Sequence, residues 1–203
     1  MKKTILAALL AASFLLPGLA SAATYKIDQE GQHAFIEFRI QHLGYSWLYG
    51  RFNDFSGQFT YDADNPDDAS VTVNIDPASI DTNHEARDKH LRGPDFLNVK
   101  EFPKLTFEST KIEKVGEREV EVTGDLTMHG QTHSVTLDGT FNKMTKHPLP
   151  DYNGILTAGF SGRGTIKRSR WGVSQYTPAI GDRMEILVEI EGFAQDQLDK
   201  LPE

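Results

Sequence analysis

The chain has 203 residues, no cysteine and a formal net charge of −8. Without a thiol it cannot form disulfides, use a cysteine nucleophile, attach haem through Cys or build a Cys zinc site. Its acidity excludes nucleic acid, or an anionic membrane surface, as a partner held by charge alone.

The first segment reads as a secretory leader. Lys2 and Lys3 precede an apolar run from Ile5 to Leu16, Pro17 and Gly18 interrupt it, and Ala20-Ser21-Ala22 offers a small-residue cleavage site. The run is too short to span a bilayer, and no later run is long enough. Cleavage after Ala22 predicts an exported chain, residues 23–203, read as one domain. Losing Lys2 and Lys3, one positive charge each, takes the net charge from −8 to −10. Ala23 is not a cysteine, so no lipid anchor is expected there.

From Ala23 onward the pattern is period-two alternation. The predicted strands centre on Ala34–Ile40, Phe55–Tyr61, Val71–Ile75, Leu105–Phe107, Val120–Leu126, Val135–Phe141, Ala158–Ile166 and Met184–Ile190, with a ninth at Tyr25–Gln29. Each has one apolar and one polar face, as in antiparallel sheets with one wet side. Turn residues at Asp64-Asn65-Pro66-Asp67, Val115-Gly116-Glu117 and His129-Gly130-Gln131 join them. A run of hairpins this long predicts an all-β closed barrel or a sandwich. Gly57, Gly124, Gly139, Gly162 and Gly164 fall on the apolar faces. They mark either space inside a barrel or bulges over a solid core.

Thr82 to Arg92 breaks the alternation and predicts one short helix. Thr82 and Glu85 have capping-box spacing, and Gly93-Pro94 stops it. So short a helix is marginal alone and must dock, through Leu91 and the following Asp95-Phe96-Leu97, as a plug or lid. The tail from Asp196 to Glu203 is polar and is expected to fray.

Few residues suggest chemistry. His84 and His90 are six apart, which puts them on nearly opposite sides of a helix, and Arg87, Lys89 and Arg92 would repel a cation. His129 and His133 flank a turn and read as exposed turn histidines rather than as a metal pair. His42 follows Phe38 and Ile40 in phase, so it either meets a ligand head group or is satisfied by backbone. No nucleophile elbow, phosphate loop or dinucleotide fingerprint occurs. No catalytic set, metal site or cofactor is expected. Twelve Phe, most on inward phases, supply either a packed core or a tunnel walled by rings.

Several blocks, in one order across the chain from residue 23, resemble the YceI-like family of exported proteins. They are His42-Leu43-Gly44, Gly50-Arg51-Phe52 and Phe55-Ser56-Gly57, then Ser79-Ile80-Asp81-Thr82, Arg87 to Arg92 and Asp95-Phe96, then Phe102-Pro103, Gly124 to Thr127, Ile166 to Ser169 and Trp171-Gly172. Arg170 departs from the pattern, standing where an acid is expected. The resemblance implies an antiparallel lipocalin-like barrel of about eight strands around a polyisoprenoid chain. It also implies a periplasmic location and an association with membrane cytochromes of the b561 type.

The reading that follows is a periplasmic carrier of an isoprenoid lipid, a polyprenyl phosphate or a quinone-type molecule. The expected cavity wall is Phe38, Ile40, Phe55, Phe59, Val73, Phe107, Leu126, Phe160 and Ile186, with His42, Arg51 and Arg168 at the mouth. The alternative is an extracytoplasmic enzyme acting on an apolar substrate in the same cavity, with His42 or the helix histidines as acid–base groups. A third is an interaction module with a solid interior. Monomer and homodimer both remain open.

Overall fold

The structure, a computed structural model, describes residues 22–31, 33–62, 65 and 68–201. The leader read at 1–22 lies outside these residues apart from Ala22, as does most of the turn at 64–67. The strands are β1 (Ala23–Ile27), β2 (Phe35–His42), β3 (Ser46–Phe52), β4 (Phe55–Tyr61), β5 (Ser70–Ile75) and β6 (Ile80–Asp81), then β7 (Leu105–Lys114), β8 (Glu119–Met128), β9 (Gln131–Lys146), β10 (Leu156–Lys167) and β11 (Ile180–Ala194). One α-helix, α1 (Glu85–Leu91), lies between β6 and β7.

All pairings are antiparallel, and eight strands close on themselves in the order β1-β4-β5-β7-β8-β9-β10-β11 and back to β1. The barrel is therefore the correct choice over the sandwich. Closure depends on how β11 divides its free edge. Its C-terminal residues Gly192–Ala194 pair with β1, and its earlier residues Ile180–Glu189 pair with β2. β3 and then β6 continue from β2. This arm extends the wall, because its alternation turns Ile36, Phe38 and Ile40 inward and Glu37 and Arg39 outward.

Two local expectations need correction, and β3 is not among the expected strands. β3 escapes the alternation rule because its large rings, Trp47 and Tyr49, point outward while Gly50 is buried. α1 begins three residues later than read. Its N-cap is His84, whose Nδ1 accepts from Arg87 N at 3.2 Å. Thr82 is engaged elsewhere: its backbone N donates to Asp88 Oδ1 at 3.0 Å, its hydroxyl donates to the same oxygen, and Arg87 Nε donates to that hydroxyl at 2.7 Å. The tail is not frayed over 195–200. It forms a 3₁₀ helix held by Asn153 Nδ2 donating to Lys200 O at 2.8 Å and Leu156 N donating to Gln197 Oε1 at 3.2 Å.

The packed part of the core gathers around two fully buried rings. Tyr25 stacks on Phe59 with centroids 5.0 Å apart. Trp171 donates its indole N–H to Leu126 O at 3.0 Å, so the large ring is buried without an orphaned donor.

Candidate functional site

The barrel interior is not filled. A cavity of about 430 Å³ runs through it, within the range of small-molecule sites, and its wall is drawn from nearly every strand. The lining is overwhelmingly aliphatic and aromatic. Its polar residues include His42, Thr82, Arg87, His90, Arg168 and Tyr176 toward α1 and the loop before β11, with Glu37, Tyr49, Thr60, Tyr61, Ser70 and Ser161 elsewhere on the wall.

Of the expected wall, Phe38, Ile40, Phe59, Val73, Phe107, Leu126, Phe160 and Ile186 all face this cavity. Phe55 does not; it is buried outside the lining, cross-strand from Ile75. Period-two phase gives the side of a strand but not the depth along the barrel. The glycines divide in a similar way. Gly139 and Gly162 line the cavity, while Gly124 is covered by the Phe107 ring and Gly164 by Leu137.

The mouth differs more from expectation. His42 lines the cavity. Arg51 lies outside it, half-exposed and paired with Asp81 at 3.3 Å. The Asp81 carboxyl is held below the usual carboxylate range, first by the Asn83 backbone N–H, then by the Asn53 amide and Arg51. Arg168 reaches the lining but its guanidinium is spent on backbone. Nε donates to Gly181 O (2.9 Å), Nη1 to Val173 O (2.8 Å), and Nη2 to Gln175 O (2.9 Å) and Ile180 O (3.2 Å). Burial pulls its pKa below the ordinary value, and Asp182 opposes that shift.

Two residues not expected at the mouth of a carrier stand there, although the enzyme alternative names His90. Arg87 lines the cavity while its Nε and Nη2 hold Thr82. His90 lines it too, with Nε2 3.1 Å from Asp95 Oδ2 and its ring edge-on to Phe96 at 5.0 Å and to Tyr176 at 6.2 Å. The i, i+3 spacing of Arg87 and His90 on α1 was the available signal. The other wall contains a ring cluster, with Tyr61 stacked 5.1 Å from Phe141 and edge-on to Phe160 at 5.2 Å.

Among the described residues no group of three or more His, Asp or Glu could hold a metal ion. His129 and His133 are half-buried, not exposed. His129 Nδ1 lies 3.2 Å from Trp171 O, and the His133 ring stands edge-on to Trp171 at 5.1 Å. What the cavity can do is bury hydrocarbon. Each methylene removed from water there is worth about 0.8 kcal/mol. His42, Arg87 and His90 supply donors and acceptors at the end near α1.

Comparison with known proteins agrees with this architecture. A family model described as the YceI-like domain matches residues 25–192. A UPF0312 protein of Pseudomonas aeruginosa is 47% identical over 195 residues, covering 96% of this chain and 100% of its own. Protein YceI of Salmonella heidelberg is 46% identical over the same span. Among solved structures, BcnA of Burkholderia cenocepacia superposes with a TM-score of 0.72 at 25% identity, covering 81% of this chain and 98% of its own. The Campylobacter jejuni YCEI protein gives 0.67 at 30% identity over 75% of this chain and 88% of its own. A polyisoprenoid binding domain from Saccharophagus degradans shares the fold at 0.63, with 14% identity over 85% of this chain and 99% of its own. No helix among the described residues is long and apolar enough to cross a membrane. The strand order, the hollow interior and the match across nearly all of the barrel converge: the chain belongs to the YceI-like family.

Proposed function

We propose that this protein is a periplasmic carrier or sequestering protein for an isoprenoid lipid, with the chain in the barrel cavity and the head group at the mouth. The observation that carries the reading is the continuous apolar lining of a cavity of about 430 Å³. Burying ten methylene-equivalents would contribute about 8 kcal/mol before the cost of ordering the chain, which is several kcal/mol. The fold-level likeness to a domain that binds a polyisoprenoid supports the ligand class. The leader read from the sequence at residues 1–22 supports export to the periplasm.

At the mouth the head-group roles fall to His42, Arg87 and His90, in place of Arg51 and Arg168. Arg87 suits a phosphate, and the His90 imidazole and Tyr176 hydroxyl suit a quinone-type carbonyl. The wall role belongs to the eight expected residues that face the cavity. Delivery to a membrane cytochrome of the b561 type follows from the family resemblance, and co-purification of the two tests it.

The decisive experiment is organic extraction and mass analysis of protein purified from its own periplasm. An extracted polyisoprenoid, and an intact mass raised by that lipid, is the expected result. An unaltered polypeptide mass under non-denaturing conditions would sink the proposal. The second reading, an enzyme on an apolar substrate, draws on His90 beside Asp95, the pairing of an imidazole with an orienting carboxylate. Turnover of a bound lipid that disappears in His90→Ala, with folding retained, would establish it.

A further inference from the structure

We propose that the outward face and tip of the β2–β3 hairpin dock the protein on the interfacial zone of a zwitterionic lipid bilayer, with the cavity mouth against the membrane. The hairpin presents its largest side chains to solvent. Trp47 and Tyr49 share the outward phase of β3, and Leu43 and Tyr45 form the tip. Relative exposure is 51% for Leu43, 89% for Tyr45, 37% for Trp47 and 57% for Tyr49. A contiguous exposed ring surface of this kind marks an interaction site. Tyr and Trp, with an apolar body and a polar handle, are the residues that sit at membrane–water interfaces.

The patch continues into the cavity. Tyr49 and Tyr176 both border it and are more than half exposed, Tyr176 lying in the loop before β11 beside His90 and Phe96. Leu43 N donates to Ala179 O at 2.9 Å, and His42 pairs with Ile180, so tip and loop are tied into one rim.

Charge selects the kind of membrane. Arg39, the cation on this face, is cancelled by Glu185 at 2.6 Å and lies over the Trp47 ring at 4.6 Å. The Arg51–Asp81 pair flanking it is also neutral. The outward face of the hairpin, with Arg39 and Arg51 each paired to a carboxylate and exposed Glu37 cross-strand from Arg51, carries no excess positive charge, and on a chain of net charge −8, or −10 without Lys2 and Lys3, it is matched to zwitterionic lipid and repelled by anionic lipid. The competing occupant is a second copy of the chain. Among the described pairings β3 bonds β6 only at Arg51 and Phe52, which leaves the edge at 46–50 open. A bilayer is favoured because the patch borders the mouth of an apolar cavity, where a water-insoluble chain must enter and leave. That last step rests on the carrier reading; the docking itself does not.

The test uses residues 23–203, which carry every described strand, and vesicles of phosphatidylcholine alone. The chain has two Trp, and Trp171 is fully buried, so emission changes report Trp47. Expected are co-flotation with vesicles, a blue shift, and quenching by brominated phosphatidylcholine. Replacing half of the lipid by phosphatidylglycerol should not strengthen binding. Tyr45→Ser should weaken vesicle association by on the order of tenfold, and Tyr45→Ser/Trp47→Ser should abolish flotation, while both retain uptake of an apolar fluorescent probe. If the double variant fails to fold, the tip variant alone decides, because Tyr45 is 89% exposed. Absence of flotation by the unaltered chain overturns the proposal. So does a dimer that Tyr45→Ser dissociates without any vesicle binding, which assigns the face to a second copy. A lipid-filled cavity without flotation sinks docking alone; flotation with a cavity that takes up no lipid sinks the carrier reading alone.

Discussion

Arg168 ends its side chain among four backbone carbonyls of the segment 173–181, so its work is to hold the loop that frames the mouth. A charged donor bonded to carbonyls is worth more than a neutral one, and each carbonyl left unpaired in a buried site costs about 1–3 kcal/mol. Some of these oxygens would regain water if the guanidinium were removed. Arg168→Met should therefore lower stability by about 2 kcal/mol in urea unfolding. Arg168→Lys should recover little of it, because an ammonium cannot reproduce the guanidinium fork. An unchanged midpoint in Arg168→Met would contradict the structural role. By contrast Arg51, half-exposed beside Asp81, makes a surface pair worth at most about 1 kcal/mol. The sequence could not separate the two arginines. Backbone carbonyls have no residue signature, so the difference between a cation at a mouth and a cation stapling a loop lies wholly in tertiary placement.

Helix α1 has seven residues, too few to stand alone, and Thr82 is its anchor. That threonine binds Asp88 through both backbone and hydroxyl and receives Arg87 on its hydroxyl and carbonyl oxygens. Thr82→Val keeps the shape and removes the hydroxyl, leaving Asp88 and Arg87 each one partner short. Stability should fall by about 1–3 kcal/mol, and the amides of 85–91 should exchange faster than those of β8 and β9. Equal exchange in the variant and the parent would show that α1 is held by Leu91 and Leu97 instead. The helix itself was legible, because polar, non-alternating residues ended at Gly93-Pro94. Its cap was not, because Thr82 and Glu85 have the right spacing and Thr82 is used elsewhere. β3 was illegible for a related reason. Alternation assumes that large apolar residues face inward, whereas here the Phe38 ring packs over Gly50, where an added Cβ would stand 2.9 Å from Thr82 Cγ2. Trp47 and Tyr49 are turned out, and Gly50 takes an inward position between Leu48 and Phe52.

At the scale of the molecule, closure and hollowness are separate facts with separate origins. The alternation of nearly every strand was legible because burial imposes it residue by residue. Closure was not, since it rests on residues 25–27 meeting 192–194 from the far end of the chain, and no local pattern encodes that pairing. Hollowness follows from filling. The Phe107 ring occupies the place of a side chain at Gly124, but Gly162 opens on the cavity, and a Cβ built there would meet only Val188 Cβ at 3.7 Å. Gly162→Leu should consequently fit the wall and enter the space a lipid chain needs. Ligand that binds only the folded barrel stabilises it in proportion to the logarithm of its concentration, about 2.7 kcal/mol at a hundredfold excess over Kd. The delipidated parent should therefore melt lower than the loaded protein and recover when a polyisoprenoid is added back. Delipidated Gly162→Leu should melt at or above the delipidated parent, since apolar atoms fill a void, and should gain little on adding lipid. Scanning calorimetry of the four samples separates these outcomes. A full ligand-dependent rise in the leucine variant would mean that the chain does not run past Gly162, and a rise in neither protein would mean that this cavity holds no lipid.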